Sequence, residues 1–138
     1  GSLNPNSAPT ACSGDIPLAL LDYTLSGNAT HLGNLNVTLS TLHHDDCDLS
    51  LATMLLSTGV SGQLVAANGD AVNYSGDDVI NVFNFLTGSG PNGPITGTWT
   101  ITGGTGRFEG ATGSITLNGL VDFSNLSFTA TASGTITF

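Results

Sequence analysis

Two segments of this chain alternate, residue by residue, between an apolar and a hydroxyl-bearing set, and that period of two limits the fold more than any other feature. In Ile95–Thr102 one set is Ile95, Gly97, Trp99 and Ile101, and the other is Thr96, Thr98, Thr100 and Thr102. The last stretch sets Leu126, Phe128, Ala130, Ala132, Gly134, Ile136 and Phe138 against Ser127, Thr129, Thr131, Ser133, Thr135 and Thr137. Successive side chains of a strand point to opposite faces, so each segment is a strand with one face for a core and one for water. Weaker alternation marks Ile16–Ser26 and Thr30–Leu42. Gln63–Ala67 and Ala71–Tyr74 flank Asn68-Gly69-Asp70, a strong hairpin signal because both turn residues tolerate positive φ. Val79–Leu86 and Arg107–Leu117 also read as strands, the apolar run Leu49–Ser57 as a buried strand in preference to one short helix, and His43-His44-Asp45-Asp46 reads as a break. The sum is about eight or nine strands with no helix, which belongs to a β-sandwich or barrel. Small residues at Ala130, Ala132 and Gly134 favour a barrel, where a tightly curved wall needs short side chains.

The chain has 138 residues, enough for one domain with a real core. Residues 1–15 read as an extended N-terminal tail, with Gly1-Ser2 as a cleavage scar, and residues 16–138 as a single barrel domain. Only 8% of residues are charged, so Thr, Ser, Asn and Gly must supply the wetted surface. Such a composition points to an exported protein, secreted or periplasmic, whose polar start at Leu3–Ser13 follows a removed signal peptide. The net charge is −9 and Arg107 is the single Lys or Arg. Nucleic-acid affinity comes from cations neutralising phosphates, so a single cation comes close to excluding that partner class and disfavours docking on anionic lipid. No run of apolar residues is long enough for a membrane span. Cys12 and Cys47 read as one disulfide in an oxidising compartment, contributing about 4 kcal/mol in the chain-entropy model. The other reading is two separate buried thiols.

Candidate sites are few. Asp22 and His31, on neighbouring strands, are candidates for acid–base chemistry, against a structural His bonded to backbone. His43, His44, Asp45, Asp46 and Asp48 are metal-ligand types, against a solvated loop. Asp70, Asp77 and Asp78 with Asn68 are candidates for calcium, but without the spacing of a calcium loop, and Asp70 can instead close its own turn. Arg107 either forms a structural ion pair or binds an anionic group of a ligand. Asn28, Asn36, Asn73 and Asn125 head glycosylation sequons.

The stretch Gly103-Gly104-Thr105-Gly106-Arg107-Phe108, followed by Ala111-Thr112-Gly113, lacks the Lys and the helix of a phosphate loop. It resembles the turn and tripeptide of the allene oxide cyclase and dirigent proteins, with Thr112 where dirigent proteins carry Arg. Together with Ala29-Thr30-His31-Leu32-Gly33 and Ala66-Ala67-Asn68-Gly69-Asp70 it is also similar to a set of uncharacterised exported bacterial β-barrel proteins. The resemblance implies an eight-stranded antiparallel barrel without a cofactor, and a homo-oligomer. Three functions follow as expectations. The first is non-enzymatic binding of a small apolar molecule or a surface role. The second is a cofactor-free cyclase or coupling-control protein. The third is a self-associating extracellular matrix or surface-contact protein. No nucleophile motif accompanies any of them, which leans away from an enzyme.

Overall fold

The computed structural model describes residues 48–138 in full, and the backbone of the strands at 2–5, 13–14, 21–25 and 40–47. The short strands are β1 (Ser2–Pro5), β2 (Ser13–Gly14) and β3 (Leu21–Leu25). Six long ones follow: β4 (Ser40–Ser50), β5 (Leu55–Val65), β6 (Ala71–Asn81), β7 (Asn92–Gly104), β8 (Thr112–Asp122) and β9 (Ser127–Thr137). The protein is all-β. The six long strands form one antiparallel sheet in which each pairs with its chain neighbour, and they do not close on one another. β3 pairs with β4 and β1 with β3, all antiparallel, and β2 lies parallel to β4. Among the described residues β1 meets β9 at Ser2↔Ser127.

The alternation of Ile95–Thr102 is realised in β7, where Ile95, Gly97, Trp99 and Ile101 are buried and the threonines are exposed. Their neighbours on the buried face include Val60 and Leu64 of β5, Val72, Tyr74 and Ile80 of β6, and Ile115, Leu117 and Val121 of β8. In β9 only Phe128 is buried, while Ala130, Ala132 and Gly134 are exposed. The Asn68-Gly69 hairpin forms as its residues demand. Gly69 takes φ +91°, its N–H donates to the Ala66 carbonyl, and Ala66 N–H donates to the Asp70 carbonyl.

Four local readings are corrected. The run Leu49–Ser57 is not one strand but the end of β4, a turn, and the start of β5. Met54 makes the turn at φ +53°, which a period read over so short an apolar run does not reveal. The segment 43–46 does not break a strand. β4 continues through it, and a register shift between His44 and Asp46 absorbs Asp45 as a bulge. Val79–Leu86 divides after Asn81 into β6 and a one-turn helix, α1 (Phe83–Thr87), so the chain is not free of helix. Val82 N–H is drawn to the Met54 carbonyl, Asn81 Oδ1 accepts the Phe83 N–H, and Gly88 ends the helix at φ +72°. Arg107–Leu117 is strand only from Thr112. Gly106–Phe108 is a 3-10 turn that inserts the fully buried Phe108 into the core. Among the described residues no helix is long and apolar enough to cross a membrane.

Candidate functional site

Register places Thr58 of β5, Asp78 of β6 and Gly97 of β7 side by side in one row across the sheet. The next row along holds Val60, Gly76 and Trp99. All of these lie on the face whose parity is set by Val72, Tyr74 and Ile80, so a carboxyl group stands on the apolar side of β6. Asp78 is fully buried, as are Thr58, Tyr74 and Trp99.

Glycine opposite Asp78 makes this arrangement fit. A Cβ on Gly97 would overlap Asp78 Oδ1, so no other residue leaves the carboxyl its place. Trp99 Nε1–H donates to that same oxygen at 2.9 Å. The indole is held in turn by Tyr74, whose ring stacks on it with centroids 4.6 Å apart and planes 14° from parallel. Asp78 Oδ2 and Thr58 Oγ1 are buried with no hydrogen-bond partner among the described residues. Directly opposed residues of an antiparallel pair bring their Cβ atoms to about 5 Å, so these two polar ends share one small region. Buried polar groups are nearly always bonded, and two unserved ones on directly opposed residues are exceptional.

Burial pushes the Asp78 carboxyl up from 3.8 to about 6, the Trp99 hydrogen bond restrains the rise, and the neighbouring Asp77 charge adds to it. The group therefore changes charge in the range where proton donors and acceptors operate near neutrality.

The other candidates drawn from the sequence fall elsewhere. Asp77 is exposed on the opposite face of β6, in register with Thr98. Asp70 sits at the other end of β6, half-buried, where it accepts from Asn68 Nδ2 at 2.8 Å and from the backbone N–H of Arg107 at 3.4 Å. It closes its own turn and ties that turn to Gly106–Phe108. Asp70 and Asp77 are thus not brought together, and no three metal-ligating side chains cluster among the described residues. Arg107 is exposed, with its guanidinium carbon 4.6 Å from the centre of the Phe108 ring. His43 and Asp45 lie on β4, where His43 is in register with Ser61. Asp22 lies on β3 opposite Asn4. His31 and Cys12 lie outside the described residues, and Cys47 is placed by its backbone, in register with Thr58.

Sequence reasoning treated Asp78 as a loop ligand and passed over Thr58, Tyr74 and Trp99 as site residues. One signal for them is present in the sequence: counting in twos from Val72 through Tyr74 to Ile80 puts Asp78 on the apolar parity, where a lone charge is rare. Compared with protein-family models, curated proteins and solved structures, the chain finds no match.

Proposed function

We propose that this chain is a non-enzymatic exported protein that binds a small, mostly apolar molecule against the inner face of β5, β6 and β7. One observation carries the reading: Thr58 Oγ1 and Asp78 Oδ2 are buried, unserved among the described residues, and adjacent in register. Binding sites are commonly apolar walls with a few converging polar atoms, and the stacked Tyr74–Trp99 pair supplies the wall here. The proposal includes closure of the sheet through β3 and β1 into an eight-stranded barrel of the allene oxide cyclase and dirigent type, supported by the pairings β4–β3, β3–β1 and β1–β9. It also includes the Cys12–Cys47 disulfide. Ser13 is in parallel register with Asp48, and the two cysteines precede those residues in the chain. Protection of both thiols from alkylation until reductant is added would support the bond, and immediate labelling would remove it.

Trp99 is the only tryptophan, which makes the test direct. A neutral apolar fluorophore, N-phenyl-1-naphthylamine, is expected to show saturable enhancement with energy transfer from Trp99. Thr58→Phe is expected to block it by filling the region. Enhancement without energy transfer, or insensitivity to Thr58→Phe, removes the reading.

The second reading, a cofactor-free cyclase or coupling-control protein, draws support from the same carboxyl, since an acid titrating at about 6 can hand on a proton near neutrality. It requires turnover that disappears in Asp78→Asn while binding of the fluorophore persists.

A further inference from the structure

We propose that the occupant of this region is a small organic ammonium ion, whose N–H groups donate to Asp78 Oδ2 and Thr58 Oγ1 while its carbon skeleton lies against Tyr74 and Trp99. The inference rests on the small-molecule reading above and names the chemistry of its ligand.

The valences at the site select that class. A carboxylate only accepts, and a threonine hydroxyl both accepts and donates, so the group that satisfies both must bring at least one donor, and two donors serve them best. Oδ1 is already bonded to the indole, which leaves Oδ2 as the acceptor still unserved among the described residues. An ionised Asp78 is a buried negative charge. A buried charge is costly until an opposite charge meets it. The chain itself does not supply a Lys or Arg there, because Arg107 is its only one and is exposed on the Phe108 ring. Anionic ligands are disfavoured by the net charge of −9, whereas cations are drawn toward it. The stacked rings of Tyr74 and Trp99 complete the match as an apolar surface for the carbon skeleton.

Among the residues whose side chains are described, the other titratable groups around Asp78 are Tyr74 on its own strand and Asp77 beside it on the outer face. β7 presents only Gly97 and Trp99 to it.

The experiment uses the full chain and two probes of nearly equal shape, benzylamine and benzyl alcohol, each titrated against Trp99 emission and against bound N-phenyl-1-naphthylamine. At about pH 7.5 the amine is protonated and Asp78 largely ionised. There the amine is expected to bind at least about tenfold tighter than the alcohol. In Asp78→Asn that preference is expected to vanish while the alcohol still binds. In the wild-type chain at about pH 4.5 the preference is expected to vanish also, which keeps the test decisive should the variant not fold. Equal affinity of the two probes at about pH 7.5, or a preference that survives Asp78→Asn, overturns the ammonium assignment. If the alcohol and the fluorophore bind in that case, the small-molecule reading stands without it. If the fluorophore and both probes fail to bind, the region holds at most water and both readings fall.

Discussion

Two carboxyl groups at β6, Asp70 in the turn just before the strand and Asp78 within it, are each pressed against a glycine of another segment, and they are put to opposite uses. At the start of the strand Asp70 lies against Gly106. It accepts from Asn68 Nδ2 and from the Arg107 backbone, and its own N–H donates to Asn68 Oδ1 at 3.1 Å. Further along, Asp78 lies against Gly97, accepts one hydrogen bond from Trp99, and keeps a buried oxygen with none. The first carboxyl uses its bonding capacity to join two turns in partial contact with water. The second is kept from water with half its capacity unused. A glycine opposite a carboxyl group thus marks close packing in both cases, and burial together with the count of hydrogen bonds separates a structural acid from a candidate site.

The contrast can be broken most sharply at the indole. Trp99→Phe removes the single hydrogen bond to Asp78 and leaves a void where the larger ring lay. A loss of about 3–4 kcal/mol is expected in urea unfolding at neutral pH, because a hydrogen bond to a charged group and buried volume are lost together. A loss below about 1 kcal/mol would show that Asp78 is not held as described.

Next in size is Asp78→Asn, which has the opposite sign. The folded carboxyl titrates at about 6, above the 3.8 of its ordinary value. Stability from its neutral form is therefore complete below about pH 4 and is lost as pH rises through 6, a decline worth about 3 kcal/mol by neutrality. The amide introduced by the substitution stays uncharged, and its carbonyl can still accept from Trp99. The variant is expected to be more stable than the parent at pH 7, with the gap closing toward pH 4. Parallel stability curves for the two proteins would refute the burial of a charge here.

The smallest effects belong to the structural carboxyl. Gly106 has φ +57°, and a Cβ there also meets the Asp70 carboxylate, so Gly106→Ala is expected to cost about 1–2 kcal/mol. Asp70→Ala is expected to cost about 1 kcal/mol. Made together, the two should cost less than their sum, because the alanine methyl then has no carboxylate to displace. Additivity in thermal unfolding would separate the two turns.

The legible parts of the fold were those with a local cause. Period two fixes a strand at Ile95–Thr102 without knowledge of its neighbours, and Asn68-Gly69 makes a hairpin because of what its own backbone tolerates. Segments decided by partners elsewhere were misread. Val82 leaves the strand because the Met54 carbonyl takes its N–H, and Phe108 forms a 3-10 turn because the core takes its ring. The candidate site belongs to the second kind. Asp78 on its own is an acid near a turn sequence. It becomes a site only through the registers that set it opposite Thr58 and Gly97, and those depend on three strands at once.

The strand order also sets a timetable for folding. From β4 to β9 each strand finds its partner in the segment just before or after it, so pairing requires only short loops to close and can spread from any one hairpin. The contact of Ser2 with Ser127 brings β1 to β9 across nearly the whole sequence and benefits from having the sheet already in place. Assembly is expected to run as a fast stage centred on Trp99, seen as burial of the indole, followed by a slower docking of the N-terminal strands. Deletion of residues 2–5 should remove the slow stage and leave the fast one unchanged. Loss of the fast stage on that deletion would show that the ends of the chain guide the sheet from the start.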